Sequence, residues 1–291
     1  MMLKSDSSNA YQHHSMTHIQ QTLKKIDDVD LTTEDAIGKI NEIISKELSK
    51  LPVFMTDFVI GEPLIRARYL TDAEDFHREI QDYSYNPHPE YIKLGRANFV
   101  GQQIFYASRF RITCLGEVRF IYANREKQEA RYSVGRWEVQ EKLQLASIVT
   151  PHLIRENNTS ELFGLADFIE EKEKEAKSDP ELSGFIDIYR YMALKYTEAI
   201  CEGEEYKYKI TAAFSNFIYN KLQIADGILY QSVQYPENFN VALKREAVDK
   251  GKIHLKVAAK QTYIQTGHLS YTESDSIQTE NIDQQSGKIM W

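Results

Sequence analysis

The side chains best suited to chemistry surround a short apolar strand between Gly95 and Glu117. Arginine, asparagine, tyrosine, serine and glutamate all occur within this stretch, and further arginines, tyrosines and a serine lie before and after it. The full polar set is Arg66, Arg68, Tyr69, Arg96, Asn98, Tyr106, Ser108, Glu117, Tyr230 and Ser232. Such a set around an apolar strand indicates the lining of a pocket rather than plain core.

This set suits an anionic ligand that carries an aromatic ring. Arginines hold phosphates through charge-assisted hydrogen bonds, and tyrosines pack on rings. A single carboxylate can bind a ribose hydroxyl and favour positive charge on the sugar. A dinucleotide such as NAD would use all three kinds of group. Several cations beside one carboxylate do not favour a metal site, and neither a Gly-x-Gly-x-x-Gly nor a Gly-x-Ser-x-Gly motif occurs.

Composition and charge argue against other classes of partner. The 291 residues carry a net charge of −8, whereas a nucleic-acid-binding surface needs a basic field. No apolar run has the length of a signal peptide or a membrane span. Cys114 and Cys201 are too few for a disulfide framework or a zinc cluster. We therefore expect a cytoplasmic protein that uses no metal, no nucleic acid and no membrane.

The elements that must position the polar set alternate between helices and strands. An apolar stripe predicts a helix between Thr33 and Pro52. Residues 64–70 predict a strand with Arg66 and Arg68 on one face, which is costly to bury unless an anion meets it. A solvated edge strand is the alternative interpretation of this segment.

Changes in pattern along the chain predict three segments. Residues 1–50 form a polar arm followed by the N-terminal helix. Residues 51–260 form the main domain, which a helical insertion at about 155–222 interrupts. Residues 261–291 form a polar C-terminal tail.

Short motifs follow one another in a defined order. They are Arg68-Tyr69, Gly95-Arg96-Ala97-Asn98 with Gly101, Phe105-Tyr106-Ala107-Ser108, Glu117, Asp226-Gly227-Ile228-Leu229-Tyr230-Gln231-Ser232, and Asn240-Val241-Ala242-Leu243. In this order and spacing the chain resembles the RES domain family, which is named for an Arg, a Glu and a Ser and occurs in bacterial toxin–antitoxin modules. The resemblance covers roughly residues 60–257. Ala97 departs from the family's usual tryptophan, and the insertion separates Glu117 from Ser232 by more than is typical.

The resemblance implies a compact α+β fold with a mixed sheet, similar to ADP-ribosyltransferases. It implies that NAD is consumed as a substrate at its nicotinamide–ribose bond, and that an antitoxin protein is a partner. The leading prediction is an NAD glycohydrolase or phosphorylase. An ADP-ribosyltransferase that modifies a protein target, or a non-catalytic module that binds a nucleotide or partner, is the alternative, and the acceptor stays open.

The resemblance also implies roles for individual residues. The predicted catalytic residues are Glu117, Arg96 and Ser232, and the predicted NAD-binding residues are Arg68, Tyr69, Arg96, Asn98 and Tyr106. Glu117 would bind the 2′-hydroxyl and stabilise the cation. Arg68 and Arg96 would hold phosphates, the two tyrosines would pack on nicotinamide or ribose, and Ser232 would position the ribose or acceptor.

Structural roles are the alternatives for three of these residues. Tyr106 could belong to the core, Ser232 could cap a strand end, and Glu117 could be a surface carboxylate. Ser108 is predicted to be a helix N-cap rather than a catalytic group.

Overall fold

The computed structural model describes residues 17–48, 53–70, 77–118, 129–156, 162–221, 223–267 and 270–291. Within these ranges the chain forms one nine-stranded mixed sheet, eight α-helices and three short 3-10 helices. The predicted α+β fold class is therefore confirmed. Among the described residues, no helix combines the length and apolar character needed to cross a membrane.

The sheet is antiparallel except for one parallel pair of strands. The strands are β1 Phe54–Phe58, β2 Pro63–Leu70, β3 Ile104–Ser108, β4 Glu129–Val139, β5 Leu143–Ile148, β6 Gly227–Gln231, β7 Phe239–Lys244, β8 Ile253–Gly267 and β9 Ser270–Thr279. Across the sheet the order is β1-β5-β6-β7-β3-β2-β4-β8-β9. The parallel pair is β5 and β6, and the long helical connection between them is the kind of crossover that parallel strands require.

The helices pack on the sheet and on one another. They are α1 His18–Asp27, α2 Ala36–Glu47, α3 Arg111–Glu117, α4 Pro151–Glu156, α5 Phe163–Glu175, α6 Pro180–Thr197, α7 Tyr208–Lys221 and α8 Arg245–Asp249. Local sequence fixes the start of α6. Asp179 caps α6 by accepting from the amides of Glu181 and Leu182, with Pro180 at the first helical position. Helices α5, α6 and α7 lie within the predicted insertion.

The sheet opens between β2 and β3. Over the described residues these two neighbours share a single paired position, Ile65 opposite Ser108, whereas β2 pairs with β4 from Pro63 to Leu70. The main core includes α2, α6 and α7 residues, and a smaller core packs α3 against β2, β4 and β8. Strands that meet at one position and then diverge leave a cleft, and the polar residues of the motifs lie around it.

The C-terminal residues are paired, although the sequence predicts a polar tail over 261–291. Strand β8 continues to Gly267 and pairs with β9. Beyond β9, the amide of Ile289 donates to the carbonyl of Arg78, and the amide of Ile80 donates to the carbonyl of Gly287. Backbone hydrogen bonds hold this segment. Such bonds do not require an apolar pattern, so the sequence did not indicate them.

Candidate functional site

A cavity of about 230 Å³ lies beside the opening between β2 and β3. We call it the Glu117 cavity. It is lined by Arg66, Ala67, Gly95, Arg96, Tyr106, Ala107, Cys114, Glu117, Val118, Tyr208, Tyr230 and Asn240. The lining combines a carboxylate, two guanidinium groups and three tyrosines.

Glu117 is the last residue of α3, and two side chains hold its carboxylate. Its Oε1 accepts a hydrogen bond from Ser232 Oγ at 2.6 Å and another from Asn240 Nδ2 at 2.9 Å. Ser232 Oγ in turn accepts from the amide of Tyr235 at 3.1 Å, so the hydroxyl proton points to the carboxylate. Among the described residues, Oε2 of Glu117 has no hydrogen-bond donor. One carboxylate oxygen is therefore fixed, while the other remains able to accept.

Gly116 allows the loop that carries Ser232 to approach α3. A Cβ at this position would lie 2.5 Å from the ring of Tyr235, which is closer than carbon atoms can pack. Any other residue would have to displace this ring or the helix. The glycine therefore contributes to the contact between Glu117 and Ser232.

The Gly95–Asn98 turn is built around the hydroxyl of Tyr106. This hydroxyl donates to Asn98 Oδ1 at 2.8 Å and accepts from the amide of Ala97 at 2.9 Å. Asn98 Nδ2 donates to the carbonyls of Lys93 and Phe99, so the side-chain amide of Asn98 makes its hydrogen bonds within and beside the turn. A Cβ at Gly95 would lie 2.4 Å from Asn98 Oδ1. Burial raises the pKa of Tyr106, and its ring forms part of the cavity wall.

Arg96 links this turn to the helical insertion. Its Nη1 donates to the carbonyls of Lys195 and Tyr196 at 3.2 and 2.7 Å, and its Nη2 donates to that of Glu198 at 3.0 Å. These carbonyls lie at the end of α6, where a cation also interacts favourably with the helix dipole. The guanidinium lies 5.1 Å from the ring centre of Tyr208, at the start of α7. Arg96 thus anchors the insertion to the cavity.

Arg66 lies across the opening of the sheet. Its Nε donates to the carbonyl of Ser84 at 2.8 Å and its Nη1 to that of Tyr106 at 2.9 Å. Burial, together with the like charge of Arg68, lowers the pKa of this guanidinium to about 10, so it stays cationic at neutral pH. No carboxylate pairs with Arg66 in the part of the chain that the structure describes. A partly buried cation without a partner charge is costly unless an anion binds it.

Cys114 closes the cavity floor as a neutral thiol. Its Sγ donates to the carbonyl of Ile65 at 2.6 Å. Burial raises the pKa of the thiol to about 12. The reactive thiolate is therefore scarce at neutral pH, and Cys114 is not suited to act as a nucleophile.

Arg68 and Tyr69 lie outside the Glu117 cavity. The exposed Arg68 lines a neighbouring cleft of about 620 Å³ that also includes Arg66. Tyr69 packs edge-on against Tyr132, with ring centres 6.0 Å apart, in the smaller core. Successive residues of a strand point to opposite faces, so these two neighbours are separated.

One known protein family matches most of this chain. The model of the RES domain matches residues 66–264, which is more than half of the chain. This chain belongs to the RES domain family. No curated protein matches it. Membership in the RES family supports, at the level of the domain, a relation to NAD and an association with toxin–antitoxin modules.

The RES motifs divide into a part that reaches the cavity and a part that supports it. Glu117, Arg96 and Tyr106 line it, Ser232 holds Glu117, and Asn98 lies behind Tyr106. The prediction that Ser108 is a helix N-cap is wrong. Its hydroxyl is buried within β3 and donates to the carbonyl of Phe239 at 2.8 Å, whereas α3 begins after an extended Phe110.

Two further residues, Asn240 and Tyr208, contribute to the site although the sequence did not predict them. Asn240 opens the Asn-Val-Ala-Leu motif, and a polar residue directly before an apolar run was the signal that it could serve the site. Tyr208 comes from the insertion and carries no motif. Ala97, within the turn, is fully buried, and Tyr208 supplies an aromatic ring to the cavity.

Proposed function

We propose that this RES-domain protein cleaves the nicotinamide–ribose bond of NAD and passes the ADP-ribose to water or phosphate. The observation that carries the proposal is the arrangement of Glu117. Its Oε1 is held by Ser232 and Asn240, while its Oε2 has no donor among the described residues and belongs to a side chain that lines the cavity. This arrangement suits a carboxylate that must meet developing positive charge.

Cleavage of the nicotinamide–ribose bond needs such a carboxylate but no general acid. Nicotinamide leaves as a neutral ring from a pyridinium, so the leaving group needs no proton. The ribose passes through a transition state that resembles an oxocarbenium ion, as in glycoside cleavage. A carboxylate that is already oriented stabilises this charge without reorganisation. We assign Oε2 of Glu117 to the 2′-hydroxyl and the cation, and we assign Ser232 and Asn240 to its orientation.

The remaining residues would bind the rest of the substrate. Arg66 is a cation without a carboxylate partner in the described chain, which favours contact with the pyrophosphate. The rings of Tyr106 and Tyr230 would pack on nicotinamide or ribose. We assign Arg96 to positioning, because three backbone carbonyls already accept from its terminal nitrogens. Arg68 would act from the neighbouring cleft.

The test is incubation of the full chain with NAD and measurement of free nicotinamide, with and without phosphate. We expect release by the wild type and a loss of about 100-fold or more in Glu117→Gln, the size of effect seen when one preorganised stabilising group is removed. Glu202→Gln, which changes an exposed carboxylate, is the matched control and should behave as the wild type.

The same assay separates the alternatives. Faster release with phosphate, together with ADP-ribose 1-phosphate as a product, identifies phosphorolysis, and free ADP-ribose identifies hydrolysis. A labelled protein band after incubation of labelled NAD with a lysate would instead identify protein modification. No nicotinamide release under any of these conditions would contradict the proposed cleavage and favour a binding module.

A further inference from the structure

The Glu117 cavity is small for a dinucleotide. Pockets that enclose drug-sized ligands span about 300–1,000 Å³, whereas this cavity measures about 230 Å³. The neighbouring cleft measures about 620 Å³, and we call it the outer cleft. The residues of the outer cleft that matter here are Arg66, Arg68, Ser84, Asn86, His88 and Tyr91.

Arg66 connects the two spaces because its side chain lines both. Its guanidinium is bonded to Tyr106 on the side of the Glu117 cavity and to Ser84 on the side of the outer cleft. Within the described chain its Nη2 has no hydrogen-bond acceptor. A phosphate group bound at this point could therefore join two parts of one ligand, one in the Glu117 cavity and the other in the outer cleft.

We propose that the outer cleft binds the adenylate half of the substrate, with the adenine base on Tyr91. This inference rests on the proposed function, since it takes NAD as the ligand of the Glu117 cavity. Tyr91, the last residue of the 3-10 helix Pro89–Tyr91, keeps 72% of its surface exposed. His88 meets it edge-on, with ring centres 6.0 Å apart. Together they form an aromatic surface of the kind on which bases stack.

The loop that carries this surface is fixed before any ligand arrives. The amide of Tyr91 donates to the carbonyl of His88, and the amide of His88 donates to Asn86 Oδ1 at 3.0 Å. Gln103 Nε2 binds the carbonyl of Asn86 at 3.0 Å. A preformed surface loses little conformational entropy when it binds a ring.

The charges of the outer cleft fit a phosphorylated ligand. Arg66 and Arg68 lie on the same face of β2 and both line the cleft. The one acid among the lining residues, Asp82, accepts through Oδ2 from the amides of Arg78 and Glu79, so its charge is partly satisfied within the loop. A cationic end beside an aromatic end matches a nucleoside monophosphate.

The test is equilibrium binding of AMP and of nicotinamide mononucleotide to the full chain by calorimetry. In Tyr91→Ala we expect the affinity for AMP to fall about 5- to 150-fold, the range for loss of one base–aromatic stack. The affinity for nicotinamide mononucleotide should stay as in the wild type. Tyr91→Phe keeps the ring and should bind AMP as the wild type does.

Three results would overturn the inference. They are absence of AMP binding to the wild type, equal AMP affinity in Tyr91→Ala and wild type, and an equal loss for both nucleotides. The proposed cleavage fails on a different readout, since it requires nicotinamide release. AMP binding that depends on Tyr91, without any nicotinamide release, would support the outer cleft while rejecting the reaction.

Discussion

The two ends of the Glu117 cavity use their charged side chains differently. At one end, side chains from β7 and from the loop after β6 hold Oε1 of Glu117 and leave Oε2 without a donor in the described chain. At the other end, Arg96 directs its terminal nitrogens to the carbonyls that end α6. A charged motif residue can therefore serve the reaction or the architecture, and its hydrogen-bond partners distinguish the two roles.

Among the substitutions at the two ends, Arg96→Ala should have the largest effect on stability. Its removal takes away three hydrogen bonds from a charged group to the carbonyls that end α6, and each hydrogen bond to a charged group is worth about 1.5–3 kcal/mol. We expect the free energy of unfolding to fall by about 3 kcal/mol or more, as measured by urea denaturation. A fall of less than about 1 kcal/mol would mean that Arg96 does not support the insertion, and would return it to the phosphate-binding role.

Glu117→Gln should show the converse behaviour. The amide keeps the size of the carboxylate, so we expect the free energy of unfolding to change by no more than about 1 kcal/mol. The rate of nicotinamide release should still fall by about 100-fold or more. Urea denaturation and the release assay on one protein preparation check both statements. Unfolding of the variant at low urea would contradict the assignment of Glu117 to chemistry.

Asn240→Ala should have an intermediate effect that is confined to the carboxylate end. The variant loses one hydrogen bond to a charged group, which is worth about 1.5–3 kcal/mol. If the bond orients Glu117 in the transition state, kcat should fall about 10- to 100-fold with little change in KM. Steady-state kinetics with NAD checks this. Ser232→Ala should resemble it, and a rise in KM alone would show that these donors bind substrate instead.

The smallest effect is expected from a methyl group at Gly116. Gly116→Ala places a Cβ against the ring of Tyr235, which should shift the loop carrying Ser232 and lower kcat severalfold. Gly164→Ala is the matched control, because no packing neighbour in the described chain lies within 4 Å of its Cβ and alanine favours a helix by up to about 1 kcal/mol. Equal kcat values for Gly116→Ala and wild type would show that this close approach is not needed.

Sequence alone could predict most of the carboxylate end of the site, although not the role of Asn240, because side chains of defined type build it. Glu117, Ser232 and Tyr106 each occur in a motif with a characteristic spacing. The alternation of β2 also placed Arg66 and Arg68 together on one face, as both line the outer cleft. The same alternation separates Tyr69 from Arg68, so period-2 geometry limits which motif neighbours can share a site.

The arginine end could not be predicted because its partners are backbone atoms. The carbonyls that accept from Arg96 lie about a hundred residues further along the chain. Any residue can supply a carbonyl, so the residue types at Lys195, Tyr196 and Glu198 do not indicate the contact. Tyr208 was missed for a related reason, since its place in the cavity depends on how the insertion docks.

The hydrogen bonds of Glu117 also set when the site can form during protein synthesis. Its donors lie 115 and 123 residues further along the chain. At roughly 5–20 residues per second, the ribosome needs about 6–25 s to make the segment between Glu117 and these donors. Throughout that interval the nascent chain carries the carboxylate without either side chain that orients it. The carboxylate end therefore assembles late in the synthesis of each molecule.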